Sequence, residues 1–150
     1  MIVQKLLCDE WANKNDEEEI SRNGFDQHVE NVSKYYKSRR NALFEAFHKH
    51  LPPELASWHV IPNSGMFVWI ELHTISDTKV FIEQYAVPDA QILFVPGQEF
   101  YPPLSSLTPP TSSASPATSQ HIRASYSTAN DEEMDIAMER LAQLIRQHER

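Results

Sequence analysis

Glycine is scarce in this 150-residue chain: Gly24, Gly65 and Gly97 are the whole complement, and no two lie close together. Glycine-rich loops that cradle phosphates, of the GxGxxG or the P-loop kind, are excluded, because they need several neighbouring positions without a Cβ. Cysteine is scarcer still. Cys8 stands alone, so no intrachain disulfide can form, and a reducing compartment is expected, with a cytoplasmic location. Neither an HExxH motif nor a Cys/His cluster is present, so no metal site is expected. No apolar run approaches a membrane span, and the first residues interleave Lys5 with apolar side chains and offer no cleavage signal. Neither a membrane anchor nor a secretion leader is expected. Thirteen Lys and Arg face 21 Asp and Glu, a net charge of −8. That balance excludes a nucleic-acid or anionic-membrane surface. Much of the negative charge sits in two short runs, 16–19 and 131–133.

What is present suffices for one globular domain. The apolar fraction is 41%, and three Trp, seven Phe and five Tyr can fill a core at this length. Over residues 1–12, Ile2, Leu6, Leu7 and Trp11 fall at helical spacing with Cys8 packed beside them. The chain opens in the body of that helix, so 1–24 read as the remnant of an inter-domain helix and an acidic loop, cut from something longer. Gly24 marks entry to a long helix, in which Phe25, Val29, Val32, Tyr36, Leu43, Phe47 and Leu51 keep one inward face until Pro52-Pro53 ends it. Residues 58–60 suit a short strand, 62–65 a turn, and 66–72 an apolar strand covered on both faces. Asp77 caps a helix that turns Val80, Phe81 and Tyr85 inward. Residues 92–95 read as a second buried strand, stopped by Pro96-Gly97. Five prolines among Ser and Thr make 102–120 an irregular, mobile loop. A strand over 122–127 follows. Asn130 and Glu133 form a capping box for a last helix with Met134, Ala137, Met138, Leu141, Leu144 and Ile145 inward. The expectation is an α/β (α+β) small domain over 25–150, a three- to four-stranded sheet with helices packed on it.

The chemistry narrows to one residue. Along 121–127, Ile122, Ala124 and Tyr126 share one strand face, and Arg123, Ser125 and Ser127 the other. An arginine in mid-strand with no acidic neighbour in its own segment must find an anion, and its donor fork suits a carboxylate. A structural Asp or Glu would satisfy it as well as a ligand, and spacing leaves both open. Ser64 precedes Gly65 but lacks the GxSxG frame and a nearby His, so it is not expected to be catalytic. His48 and His50 lie two apart on a helix and point to different faces, which suits surface residues, not a metal pair. No catalytic set assembles from spacing.

Four stretches carry a resemblance. They are Gly24-Phe25-Asp26-Gln27-His28-Val29 leading into Tyr35-Tyr36 and Arg39-Arg40; Pro62-Asn63-Ser64-Gly65-Met66-Phe67-Val68-Trp69-Ile70; Phe94-Val95-Pro96-Gly97-Gln98-Glu99-Phe100-Tyr101; and Ile122-Arg123-Ala124-Ser125-Tyr126-Ser127. In that order they resemble the C-terminal small domain of fold-type I, pyridoxal-phosphate-dependent aminotransferases, within the kynurenine/α-aminoadipate and aromatic branch. The resemblance covers nearly the whole chain. It implies transfer of an amino group between an amino acid (aromatic, kynurenine or 2-aminoadipate-like) and a 2-oxo acid through pyridoxal 5'-phosphate. By the same resemblance Arg123 binds the substrate α-carboxylate and the full-length protein is a homodimer; Ser64 and Gly65 either line the cleft or form a plain tight turn before the strand, and both readings stay open. Two departures follow. None of Lys5, Lys14, Lys34, Lys37, Lys49 and Lys79 stands in the Ser-x-x-Lys-like context of the cofactor-bearing lysine, so the chain alone is expected to be inactive. The loop at 102–120 is also longer than the family needs before its arginine strand. The alternative expectation is a non-catalytic truncated module acting through protein–protein association.

Overall fold

The computed structural model describes residues 22–101 and 118–148. The expected helix over 1–12 with Cys8, the acidic run at 16–19 and most of the 102–120 loop lie outside the described residues. Helix α1 spans Arg22–His50, so Gly24 falls within its first turn and does not precede it. Pro52-Pro53 ends α1 as expected, after a final Leu51 N–H to Phe47 carbonyl bond of 2.8 Å. The apolar period of α1 packs inward only in part. Leu43, Phe44, Ala46 and Phe47 are buried, whereas Phe25, Val29 and Val32 are exposed. The C-terminal half of α1 packs into the core, and the first half leaves these side chains exposed.

Strand β1 is Ala56–Ser57, two residues before the position expected for it. Trp58 instead leaves the strand and stacks on Phe47, with ring centroids 5.0 Å apart. Strand β2 is Phe67–Leu72, and β4 is His121–Ser125. Between them lie α2, Thr78–Phe81 continued by a wider π-turn over Ile82–Ala86, and β3, Val95–Pro96. Asp77 caps α2 by accepting from the Lys79 and Val80 N–H groups, but Val80 points to solvent while Phe81 is buried. Of the 92–95 segment only Val95 is paired in the sheet, although Ile92 and Phe94 are buried. Pro96 is tolerated in β3 because that strand lies at the sheet edge, where no further donor is required. Gly97–Phe100 then make one 3-10 turn.

The sheet order is β1-β2-β4-β3, and all pairs are antiparallel. Helix α3, Asp131–Gln147, opens with the expected capping box: the Glu133 N–H donates to Asn130 Oδ1 at 2.9 Å and the Asn130 N–H to Glu133 Oε2 at 2.7 Å. Val68, Ile70, Leu72, Ile122 and Ala124 point from the sheet into one core with Phe47 of α1 and Met138, Leu141 and Ile145 of α3. Burying each of these side chains other than Ala124 contributes about 1.5–3 kcal/mol, which dominates what holds the helices to the sheet. Where α1 and α3 meet, Asp135 accepts from Lys49 Nζ at 2.8 Å and faces His50 Nε2 at 3.0 Å. His50 is thus a half-buried interhelical contact and not the surface residue expected; its side chain keeps 15% exposure. His48 remains exposed, its ring edge against Trp58.

The second face of β2 is open. Its burial alternates, with Val68, Ile70 and Leu72 covered and Phe67 and Trp69 at 42% and 38% exposure, so the strand is covered on one face, not two. An apolar run reports composition on both faces but not whether anything lies over each of them.

Candidate functional site

Arg123 stands on that open face. The alternation expected for its strand is present: Ile122 and Ala124 are buried in β4 and Tyr126 just after it, while Arg123 points the other way. Register places Arg123 directly between Trp69 of β2 and Val95 of β3. Among the described residues Arg123 has no ion pair and no hydrogen bond, so the structural-carboxylate alternative finds no support there. Two rings flank it instead. The guanidinium carbon lies 4.1 Å from the Phe67 ring centroid and 4.8 Å from that of Phe100. These contacts use the attraction between a cation and the negative face of an aromatic ring. Phe100 in turn meets Trp69 edge to face at 5.1 Å, and Trp69 stacks on His121 at 5.7 Å.

Ser64 and Gly65 sit elsewhere on the same side of the chain's turn. Both are exposed, and Gly65 has φ of 87°, a left-handed conformation that glycine adopts without strain. They line an open groove of about 790 Å³ with Val29, Val32, Tyr36, Arg40 and Tyr126. Arg123 does not line that groove, so the structure does not bring the three expected site residues into one cavity. The turn is tied down from behind. The Tyr126 hydroxyl donates to the Gly65 carbonyl at 3.0 Å, Arg40 Nη1 to the Pro62 carbonyl at 3.0 Å, and Arg39 Nε to the Tyr126 carbonyl at 2.7 Å. Burial pushes the Tyr126 phenol above its ordinary value, with nearby Arg40 pulling the other way.

Gly97 sets the far edge of the open face. A Cβ there would collide with Ser119 Oγ and lie 2.9 Å from the His121 carbonyl. Close packing at this point is reinforced by Thr78, whose hydroxyl donates to the same carbonyl at 2.8 Å. The 3-10 turn that delivers Phe100 to Arg123 starts from this glycine.

The described lysines do not make a covalent cofactor site. Lys34 and Lys49 are exposed and Lys79 is half-buried, and they are paired with Glu30, Asp135 and Glu99; Lys37 is exposed on α1. A Schiff-base amine needs a desolvated, unpaired seat, and none of these has one. The donor fork on the open face suits a planar anion such as a carboxylate, and a guanidinium forms no Schiff base with the aldehyde of pyridoxal phosphate. No group of three or more His, Cys, Asp or Glu able to hold a metal occurs among the described residues.

Phe67, Trp69, Phe100 and His121 were not singled out by sequence reasoning. The strand alternation carried a signal for Phe67 and Trp69, since both fall opposite Val68 and Ile70. Phe100 had none, because it comes from a single turn without a period.

No family model matches the chain. It is similar to the mitochondrial kynurenine/alpha-aminoadipate aminotransferase of Mus musculus, 41% identical over 124 residues, which are 83% of this chain and 26% of the relative. The Bos taurus protein of the same description is 40% identical over 147 residues, 98% of this chain and 29% of the relative. Among solved structures, a multiple substrate aminotransferase from Thermococcus profundus superposes with a TM-score of 0.67 at 27% identity, covering 85% of this chain and 28% of that one. The kynurenine aminotransferase of Pyrococcus horikoshii, solved with PMP, KYN and KYA, gives 0.64 at 25% identity over 81% of this chain and 26% of that one. The chain therefore spans about a quarter to three-tenths of the length of the relatives it matches. Its homologues are kynurenine/α-aminoadipate and aromatic aminotransferases, and its fold is that of the fold-type I, pyridoxal-phosphate-dependent enzymes.

Proposed function

We propose, from this homology, that the chain forms the substrate-carboxylate side of an aminotransferase that moves an amino group between an amino acid and a 2-oxo acid. Aromatic, kynurenine or 2-aminoadipate-like amino acids are the substrates this reading favours. The observation that carries it is Arg123, a guanidinium without an acidic partner among the described residues, held on an open sheet face by two rings. An arginine placed there binds both oxygens of an α-carboxylate and fixes the direction of the Cα–H bond, which is catalysis by positioning. Ser64 and Gly65 line the neighbouring groove in this reading and take no part in bond breaking.

The covalent hold on pyridoxal 5'-phosphate falls to residues outside this chain, so the 150 residues alone neither retain the cofactor nor turn over. Incubating the chain with pyridoxal phosphate and an aromatic amino acid, then dialysing, tests this. The expected result is no retained cofactor absorbance and no 2-oxo acid formed. A band that survives dialysis and disappears on substitution of one lysine would overturn it. The complete enzyme is a homodimer in this reading. Its compartment is decided by fractionating the source cell, the reducing cytoplasm and the mitochondrion of the relatives' names being the two expectations.

A second reading is favoured by a separate observation, the exposed apolar side chains Val29, Val32 and Tyr35 on the first half of α1. It is a non-catalytic module that associates through this face. A source-cell protein of about this mass, with no longer form, would favour it over the enzyme reading.

A further inference from the structure

We infer that Phe67 and Phe100 are positioning residues, which fix the plane of the Arg123 guanidinium and turn its Nη1–Nη2 edge outward so that a carboxylate is met end-on. This rests on the carboxylate reading of Arg123 given above. The first support is topological. Strand β4 lies between β2 and β3, and the two rings reach Arg123 from those two neighbours, Phe67 from β2 and Phe100 from the turn that follows β3. Their centroids lie 4.1 and 4.8 Å from the guanidinium carbon, so both contacts are within cation–π range.

The second support is an unspent donor. Arg123 Nε is sealed from solvent and has no hydrogen-bond partner among the described residues. A buried donor without an acceptor is unfavourable, and a free arginine would swing out to hydrate it. The side chain stays because the rings hold it. Nη1 and Nη2 make no hydrogen bond among the described residues either, yet neither is sealed. The side-on fork, built from Nε and one Nη, is therefore closed to a ligand, and the outer fork is open. Trp69, edge to face with Phe100 at 5.1 Å, keeps that ring from rotating away.

Both rings are more than two-fifths exposed, so shortening them leaves the core intact. The test uses the full 150-residue chain labelled with 15N at arginine, and the probe is phenylpyruvate, an aromatic 2-oxo acid. Phenylacetone, in which a methyl replaces the carboxylate, is the control. Before any ligand is added, the Arg123 Nε–H signal should be shifted by the two ring currents, and F100L and F67L should each remove part of that shift. Phenylpyruvate should perturb Arg123 and phenylacetone should not. F100L should weaken phenylpyruvate binding about three- to fivefold, the size of one exposed cation–π contact. F100Y, which keeps a ring, should restore it. An unshifted Nε–H in the parent chain, or one unchanged in F100L and F67L, overturns the clamp whatever binds. If F100L and F67L bind as the parent does while R123Q loses binding, the positioning role fails and the carboxylate reading stands. If R123Q binds as the parent does, or phenylacetone competes equally, the carboxylate reading itself fails.

Discussion

Arg123 and Tyr126 sit three residues apart and carry opposite duties, one turned to the open face and one locked into the core. For Arg123 the plane of the guanidinium matters as much as its charge. R123K retains the charge but loses the fork and the stack on Phe67 and Phe100, so we predict phenylpyruvate binding nearly as weak as in R123Q, read by the same titration. Recovery to within twofold of the parent would show that a point charge suffices. Tyr126 couples burial to pH. Its folded-state value is raised above 10.0, chiefly by burial, so the folded protein keeps the phenolic proton longer than the unfolded chain does. The associated stability is fully present below the ordinary phenol value and is lost as pH rises through it towards the folded value. Urea unfolding from pH 9 upward should show this fall. Y126F should flatten it, at a cost of about 1 kcal/mol at neutral pH for the lost bond to the Gly65 carbonyl. An equally steep fall in Y126F would place the effect elsewhere. The face of Arg123 was legible because β4 alternates strictly. Its lack of an acidic partner among the described residues was not, since spacing cannot show which acids a fold brings near.

At the scale of the element, the edges of the open face are set by backbone packing. Gly97 has no room for a Cβ against the His121 carbonyl, and a backbone atom cannot move aside as a flexible side chain could. G97A should therefore destabilise by about 1–3 kcal/mol in urea titrations and shift the Arg123 Nε–H signal, because the turn bearing Phe100 begins there. Full stability with an unmoved signal would contradict this packing. The capping box of α3 gives a separate expectation: N130A should cost about 1 kcal/mol without touching the arginine signal. Helices α1 and α3, the turn at 62–65 and the strand around Arg123 were legible because caps, prolines and periods act locally. Strands β1 and β3 were misplaced for the opposite reason. Each is two residues long and exists only where its partner pairs with it. Coverage of β2 on both faces was also misread, because Phe67 and Trp69 look like core residues until the register with Arg123 is known.

For the molecule as a whole, the exposed apolar groups among the described residues include the face around Phe67 and Trp69 and the first half of α1 with Val29 and Val32. A contiguous apolar patch is where association would start. Light scattering on the 150-residue chain should show association that grows with concentration and weakens in a V29S/V32S variant; a strict monomer at every concentration would contradict that. The most direct measurement is kcat/KM for an aromatic amino acid, parent against R123Q, in the protein purified at its natural length from the source cell. Loss of two charge-assisted hydrogen bonds to the carboxylate should lower it about a hundredfold or more, while the corresponding amine without a carboxylate is processed equally by both. An R123Q enzyme as active as its parent on the amino acid would contradict the assignment of Arg123 as the substrate-carboxylate clamp.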